Sequence, residues 1–346
     1  MTTFDPTPLL ELVPCLRGRR VVVLGDLVAD EFIYGEMKRV YGDVARTSRE
    51  VAFGLVLRQR EVHRVPGGGA NAINNLAALG VRPLPFGFLG NDDAGRHLRR
   101  HFRGCRVDVR GLHTLRGWTT PIKSRILAGS PHATAQQVLR LDREEITVPP
   151  RAAQHRLLAA ARKALARADA LLVSDYGYGS ATPALVAELL RSKPRLPVVV
   201  DSRYQVRAYR RVTAATPSVP ELEEAYRCQI GADSPALLRW GRRLLGELGA
   251  RCLLVTRGRH GMLLLEPGRR PVTIPIFGTD QVADVTGAGD TVSAAFTAAL
   301  AAGADFVRAA TLANVAGGLV VAKRGTATVS AAELRRALGD AKLSRP

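Results

Sequence analysis

The sequence predicts an α/β fold with a doubly wound, mostly parallel sheet. Three observations carry that prediction. Short continuous apolar runs recur along the chain, amphipathic helical stretches lie between them, and acidic or hydroxyl residues stand where the apolar runs end. Ligands on such sheets sit at the carboxyl ends of strands, so the polar run-ends are where a site is expected.

The first run is Arg20 to Leu24, Arg-Val-Val-Val-Leu, which closes at Gly25-Asp26. A run without alternation is the mark of a strand buried on both faces. Leu171 to Asp175, Pro197 to Asp201 and Cys252 to Thr256 repeat it. Between them, 3.6-residue periodicity predicts helices over Ala152–Arg167, Pro183–Arg191 and Ser234–Leu248. Another helix is expected from Ala70 to Leu79, stopped by Gly80. Residues 31–64 and 112–142 break the alternation, being rich in β-type residues and turns. They are expected to leave the main sheet and form a small β flap, or lid. Residues 1–346 are expected to make one domain, with Lys342 to Pro346 frayed.

Composition narrows the function. With 46% hydrophobic and 23% charged residues, the 346-residue chain is an ordinary globular protein. The N-terminus, with Asp5 and Glu11 among prolines, lacks a basic-then-apolar leader pattern. The uncharged stretch Val292–Ala304 is Ala-rich and too short to cross a bilayer. A cytoplasmic protein with no membrane partner is expected. Cys15, Cys105, Cys228 and Cys252 lack the spacing of a zinc site or a disulfide framework. The net charge of +19 is spread along the chain, mostly as arginine, without a dense tract or interleaved aromatics. It points to an anionic small molecule more than to nucleic acid, for which a gel shift at moderate salt is the discriminator.

Two segments carry chemistry. Asp284-Val285-Thr286-Gly287-Ala288-Gly289-Asp290-Thr291 is a small-residue turn opening into an apolar helix. Unpaired N–H groups at such a junction hold anions, and the helix dipole adds to the effect. A carboxylate there opposes anion binding unless it has another task, such as taking a proton from an attacking hydroxyl. The bland alternative is a helix with an acidic first turn. Pro66-Gly67-Gly68-Gly69-Ala70-Asn71 lets the backbone approach a ligand closely and offers an amide to sugar hydroxyls; the alternative is a plain loop before a helix. There is no Gly-x-x-x-x-Gly-Lys-Ser/Thr loop and no protein-kinase motif set.

Taken together, Gly25-Asp26 with Asp30, Gly67 to Asn71 and Asp284 to Asp290 resemble the ribokinase-like (PfkB) sugar kinases over about Val21 to Leu338. Gly25 to Asp30, Leu139-Arg140-Leu141-Asp142, Ser174-Asp175-Tyr176, Asp284 to Thr291 and Lys323-Arg324-Gly325-Thr326 are similar to the heptose 7-phosphate kinases within that family. The resemblance implies a ribokinase-like fold and ATP-dependent phosphorylation of an anomeric hydroxyl, giving a heptose 1,7-bisphosphate for nucleotide-heptose synthesis. It implies Asp290 as the base, with Gly287, Ala288 and Gly289 stabilising charge on the transferring phosphoryl group. Asp30, Gly68, Gly69, Asn71 and Asp175 are implied for the sugar, with Lys123 and Arg125 for its phosphate. Ser218, Glu221, Thr256, Gly258, Gly261 and Asn314 are implied for the nucleotide, and Glu221 for Mg²⁺ through water. Flap pairing in the family implies a homodimer, and monovalent-cation dependence is left open.

Three departures touch the implied site. The family's Asn-x-x-Glu reads Ser218-Val219-Pro220-Glu221, its Asp-Pro-Lys reads Asp201-Ser202-Arg203, and Tyr178 stands where a lysine is usual. They keep open another C7 sugar, a cyclitol phosphate, a hexose phosphate or a catalytically silent sugar-phosphate sensor.

Overall fold

The structure is a computed structural model and describes residues 5–37, 57–129, 135–145, 148–231, 235–278 and 283–343. The chain starts with α1 (Thr7–Cys15), then β1 (Arg20–Gly25), β2 (Leu27–Met37), β3 (Leu57–Gly68), α2 (Gly69–Ala78), β4 (Arg82–Gly90), α3 (Asp93–Gly104), β5 (Leu112–Leu115), β6 (Ile122–Gly129) and β7 (Gln136–Arg143). It continues with α4 (Arg151–Leu165), β8 (Ala170–Asp175), α5 (Pro183–Ser192), β9 (Val198–Ser202), β10 (Ala214–Ala215), α6 (Val219–Tyr226), α7 (Pro235–Leu248) and β11 (Cys252–Thr256). The last elements are β12 (Met262–Leu265), β13 (Val272–Ile274), α8 (Ala288–Ala301), α9 (Phe306–Val321) and α10 (Ala331–Leu343).

The main sheet runs β13-β12-β11-β10-β9-β8-β1-β4-β5, parallel from β11 to β5, with β12 and β13 antiparallel at one edge. Its central strands β1, β8, β9 and β11 are apolar up to their ends because both faces are covered. Val21 and Val23 of β1, Ala170 and Leu172 of β8, and Cys252 and Leu254 of β11 pack on one side with residues of α1, α2, α3, α8, α9 and α10. The intervening Val22, Leu24, Leu171, Val173, Leu253 and Val255 pack on the other with α4, α5, α6 and α7. This parity decides which side chains at each strand end meet the site.

The uncharged stretch after Val292 is most of α8, buried from Asp290 to Ala301. Its alanines allow close packing, and Thr297 and Ser293 return their hydroxyls to the carbonyls of Ser293 and Asp290. No helix among the described residues is long and apolar enough to cross a membrane. All four cysteines are free.

The flap is a second sheet in the order β3-β2-β6-β7. Two expectations about its bounds need correction. Leu112–Leu115 is not flap: β5 pairs in parallel with β4, and Leu112 and Leu115 are buried in opposite faces of the main core. The flap also starts earlier, at Leu27, because only Asp26 separates β1 from β2, so Asp30 lies on a flap strand. Residues 38–56 and 130–134 of the expected flap, Ser234, and the end of the expected frayed tail at 344–346 lie outside the described residues.

Candidate active site

The carboxyl ends of β1, β8, β9 and β11, the α8 N-terminus and the root of the flap converge on one cleft. Asp290 sits in the first turn of α8 and is buried. Its Oδ2 accepts from Asn71 Nδ2 at 3.1 Å, and its Oδ1 accepts from the Tyr176 hydroxyl at 2.8 Å. Burial, with a smaller push from Asp30 and Glu221, raises its carboxyl to about 7 despite these two donors. A carboxylate poised near neutrality suits proton abstraction.

The turn before it is shaped for close approach. Gly287 caps α8 at φ +74°, and a Cβ there would lie 2.5 Å from Asn71 Nδ2. Asn71 Nδ2 also donates to the Gly287 carbonyl at 3.2 Å, joining the glycine loop to the helix start. Asp284 braces the turn from below, accepting from Thr286 N at 2.9 Å and Gly325 N at 3.0 Å. Of the three N–H groups expected to face an anion, that of Ala288 donates to the Val285 carbonyl at 3.2 Å. Gly289 is exposed at the helix start, where first-turn N–H groups lack intrahelical partners.

Asp30 is buried at the flap root. Arg125 donates to its Oδ1 at 2.7 Å, and the Thr326 hydroxyl donates to its Oδ2 at 2.7 Å. A Cβ on Gly67 would fall 2.5 Å from Asp30 Oδ2, so the glycine loop is needed for this carboxylate to fit. Gly68, Gly69 and Asn71 lie beside it, where β3 passes into α2. Lys123, two residues from Arg125 on β6, pairs with Asp142 at 3.4 Å and Glu144 at 3.5 Å. Both flap cations therefore already face carboxylates.

Asp175 does not join this constellation. Its Oδ2 accepts from Ser202 Oγ at 2.7 Å and the Tyr209 hydroxyl at 2.8 Å, and its Oδ1 accepts from Gly177 N at 3.0 Å. It shares strand parity with Leu171 and Val173, which face α4–α7; the next residue, Tyr176, packs partly on that same side but sends its hydroxyl to Asp290 on α8. Parity was the signal available in the sequence. The same rule finds Asp201, which shares parity with Val199 on the α8 side. Burial and the nearby Glu221 and Asp290 push its carboxyl well above the usual range. Thr326 lay within a quoted motif, but no local pattern singled out its bond to a residue so distant in sequence.

On the nucleotide side, Thr256, Gly258, Gly261 and Asn314 line one cavity of about 190 Å³, together with Ala288 and Gly289. Four of the six residues expected at the nucleotide thus share a wall with the α8 start, while Ser218 and Glu221 do not line this cavity. Ser218 and Glu221 form a capping box on α6: the Ser218 N–H donates to Glu221 Oε2 at 2.8 Å, and Glu221 N donates to Ser218 Oγ at 3.4 Å. Arg203 donates to Glu221 Oε1 at 3.1 Å. Two of the departures therefore meet on one carboxylate. The third, Tyr178, donates its hydroxyl to Glu144 on the flap side.

Glu221 lies close enough to Asp201 and Asp290 to raise both carboxyls, and such hard oxygen donors are of the kind a divalent cation takes. Among the described residues no group of three or more His, Cys, Asp or Glu side chains is arranged to hold a metal directly.

The chain is similar to known proteins in sequence and fold. The bifunctional protein HldE of Geobacter sulfurreducens is 39% identical over 321 residues, covering 92% of this chain and 62% of that protein. The chain thus spans less than two thirds of the relative's length. A putative ribokinase from Agrobacterium tumefaciens superposes with TM-score 0.72 at 19% identity, covering 95% of this chain and all of the other. Arabidopsis thaliana ribokinase complexed with ribose and ATP superposes with TM-score 0.68 at 19% identity, covering 93% and 99%. At that identity the structural likeness establishes the ribokinase-like fold alone. The family model of the pfkB carbohydrate kinases matches residues 32–333, and with this span the chain belongs to that family.

Proposed function

We propose that this ATP-dependent carbohydrate kinase phosphorylates the anomeric hydroxyl of a heptose 7-phosphate, forming a heptose 1,7-bisphosphate for nucleotide-heptose synthesis. The observation that carries the reaction type is Asp290: a buried carboxylate raised to about 7, at the start of a helix that also lines the nucleotide cavity. The substrate assignment rests on the resemblance to heptose 7-phosphate kinases and on the similarity to the HldE protein over most of this chain.

In this reading the sugar lies between Asp30, the Gly68-Gly69 loop and Asn71, with its hydroxyl at Asp290. Asp290 takes the proton as the sugar oxygen forms a bond to the γ-phosphorus of ATP. The bond from that phosphorus to the β–γ bridging oxygen breaks, and ADP leaves with the electron pair. Positioning and charge stabilisation do most of the work in such a transfer. The α8 start supplies the N–H groups of Gly287 and Gly289 and the positive end of the helix dipole to the transferring group, while the Ala288 N–H, bonded to the Val285 carbonyl, holds the turn in shape. Thr256, Gly258, Gly261 and Asn314 seat the nucleotide. Mg²⁺ supplies charge neutralisation on the ATP phosphates when bound. Glu221, itself oriented by Ser218 and Arg203, would hold it through water. Lys123 is the flap cation better placed for the sugar's phosphate, because its ion pairs are long, while Arg125 is tied to Asp30 and orients it.

We further propose that residues 1–346 work as one kinase unit and that two copies pair through their flaps. Exposed Leu139 and Leu141 on β7 support pairing, which sedimentation would read as twice the chain mass. The test of the main reading is a coupled ADP-release assay over a panel of sugar phosphates, with ³¹P NMR locating the new phosphate. Turnover of heptose 7-phosphate to a 1,7-bisphosphate is expected. Turnover of a hexose or cyclitol phosphate alone would reject the substrate, and sugar-phosphate binding with no ADP release would make the chain a sensor.

A further inference from the structure

We infer that Tyr176 is a positioning residue for the reaction: its phenol O–H holds one oxygen of Asp290, fixing the carboxylate's orientation and stabilising its charge without a cation. The inference rests on the reading of Asp290 as the base. Among the described residues, the two side chains that donate to Asp290 are both neutral, Asn71 and Tyr176. A cation at this distance would stabilise the anion more strongly but leave it a weaker base. A neutral donor preserves basicity near neutral pH.

The two donors are not equivalent. Asn71 Nδ2 already divides between Asp290 and the Gly287 carbonyl, and Asn71 lies in the loop assigned to the sugar. An arriving hydroxyl competes for it. Tyr176 has a single O–H, aimed at Asp290 Oδ1 at 2.8 Å. Burial and the neighbouring Asp290 and Asp201 raise the phenol well above its ordinary range, so it remains a donor wherever the enzyme works.

The surrounding structure is built to hold this phenol. Asp26, buried at the end of β1, accepts Tyr176 N at 2.9 Å and Tyr178 N at 3.0 Å on Oδ2, and Ser180 N at 2.8 Å on Oδ1. One carboxylate therefore fixes the whole turn after β8. On the other side the Tyr176 ring lies against Gly68, at φ +53°, where a Cβ would come within 3.2 Å of the ring. The ring is confined between the glycine loop and the base. The charged groups that face Asp290 are acidic: Asp30 from β2, Glu221 from α6 and Asp201 from β9. Asp30 and Glu221 oppose its ionisation, which makes a donor on Oδ1 consequential.

Tyr176→Phe keeps the ring and removes the donor. A hydrogen bond to a charged group corresponds to about one to two pH units. The acid limb of kcat is expected to rise by about that much, with kcat near neutral pH falling roughly 10–100-fold and recovering at alkaline pH. KM for ATP should stay unchanged. Site-specific 3-fluorotyrosine at position 176, a stronger donor of nearly the same shape, should move the limb the other way. Asp290→Asn is run beside them. If it is inactive while the Tyr176→Phe profile superimposes on that of the parent enzyme, the Tyr176 inference is overturned. If Asp290→Asn turns over normally, the base reading fails instead. Should Tyr176→Phe not fold, the fluorotyrosine protein decides, and an unmoved limb overturns the inference.

Discussion

Replacing Asp290 by asparagine should make the protein more stable at alkaline pH while disabling it. Burial raises this carboxyl from 3.8 to about 7. Between those values the folded state holds a proton that the unfolded state has released. Stability contributed by this group is therefore full below pH 3.8 and is lost as pH rises through about 7. A shift of about three units amounts to about 4 kcal/mol of penalty at pH 8. Asp290→Asn removes that penalty. The bonds from Tyr176 and Asn71 become neutral–neutral, a change already contained in the raised value. The gain at pH 8 is therefore about 4 kcal/mol, or a Tm increase of roughly 5–6 °C for a chain of this size. At pH 4 the gain should vanish, because the native carboxyl is then protonated. Thermal unfolding of both proteins from pH 4 to pH 8 is the assay. An equal or lower Tm for the variant at pH 8, or a gain that does not change with pH, would refute the claim that Asp290 is held against its own desolvation.

Two further substitutions probe the walls of the cleft. Gly287→Ala places a Cβ 2.5 Å from Asn71 Nδ2 and 3.0 Å from Thr326 Cγ2, in a backbone conformation that costs a non-glycine residue about 1–2 kcal/mol. It should lower kcat roughly 10–100-fold by displacing Asn71 from Asp290, and a fall in Tm with kcat untouched would contradict that link. Arg125→Met leaves Asp30 buried without its guanidinium. Breaking such a pair costs roughly 3–5 kcal/mol, so Tm should fall and KM for the sugar should rise while KM for ATP holds, a split that steady-state kinetics reads directly.

Much of this fold was legible because its strands are buried on both faces. β1, β8, β9 and β11 appear in the sequence as apolar runs, and their polar ends mark the cleft. The short β10 and the edge strands β12 and β13 carry too few residues for a periodic signal, and β4 is interrupted by Pro83 and Pro85. β5 was misassigned because four residues of mixed polarity do not reveal which sheet they join. At the site, Asp290 and Asn71 stand in contiguous motifs and meet through a hydrogen bond, whereas Thr256, Gly258, Gly261 and Asn314 are spread along the sequence and share a cavity only in the fold. Asp175 is implied for the sugar by the resemblance, but strand parity sends it to the far face, where Ser202 and Tyr209 hold it. The bonds from Thr326 to Asp30 and from Arg203 to Glu221 join separate elements, so only the fold reveals them.

The most direct measurement of the central claim is the rate of phosphoryl transfer from ATP to the sugar phosphate by Asp290→Asn and by the parent enzyme, followed as ADP release under saturating substrates. The account predicts a loss of roughly 10²–10⁴-fold with nucleotide binding preserved. Turnover within a few-fold of the parent would contradict it.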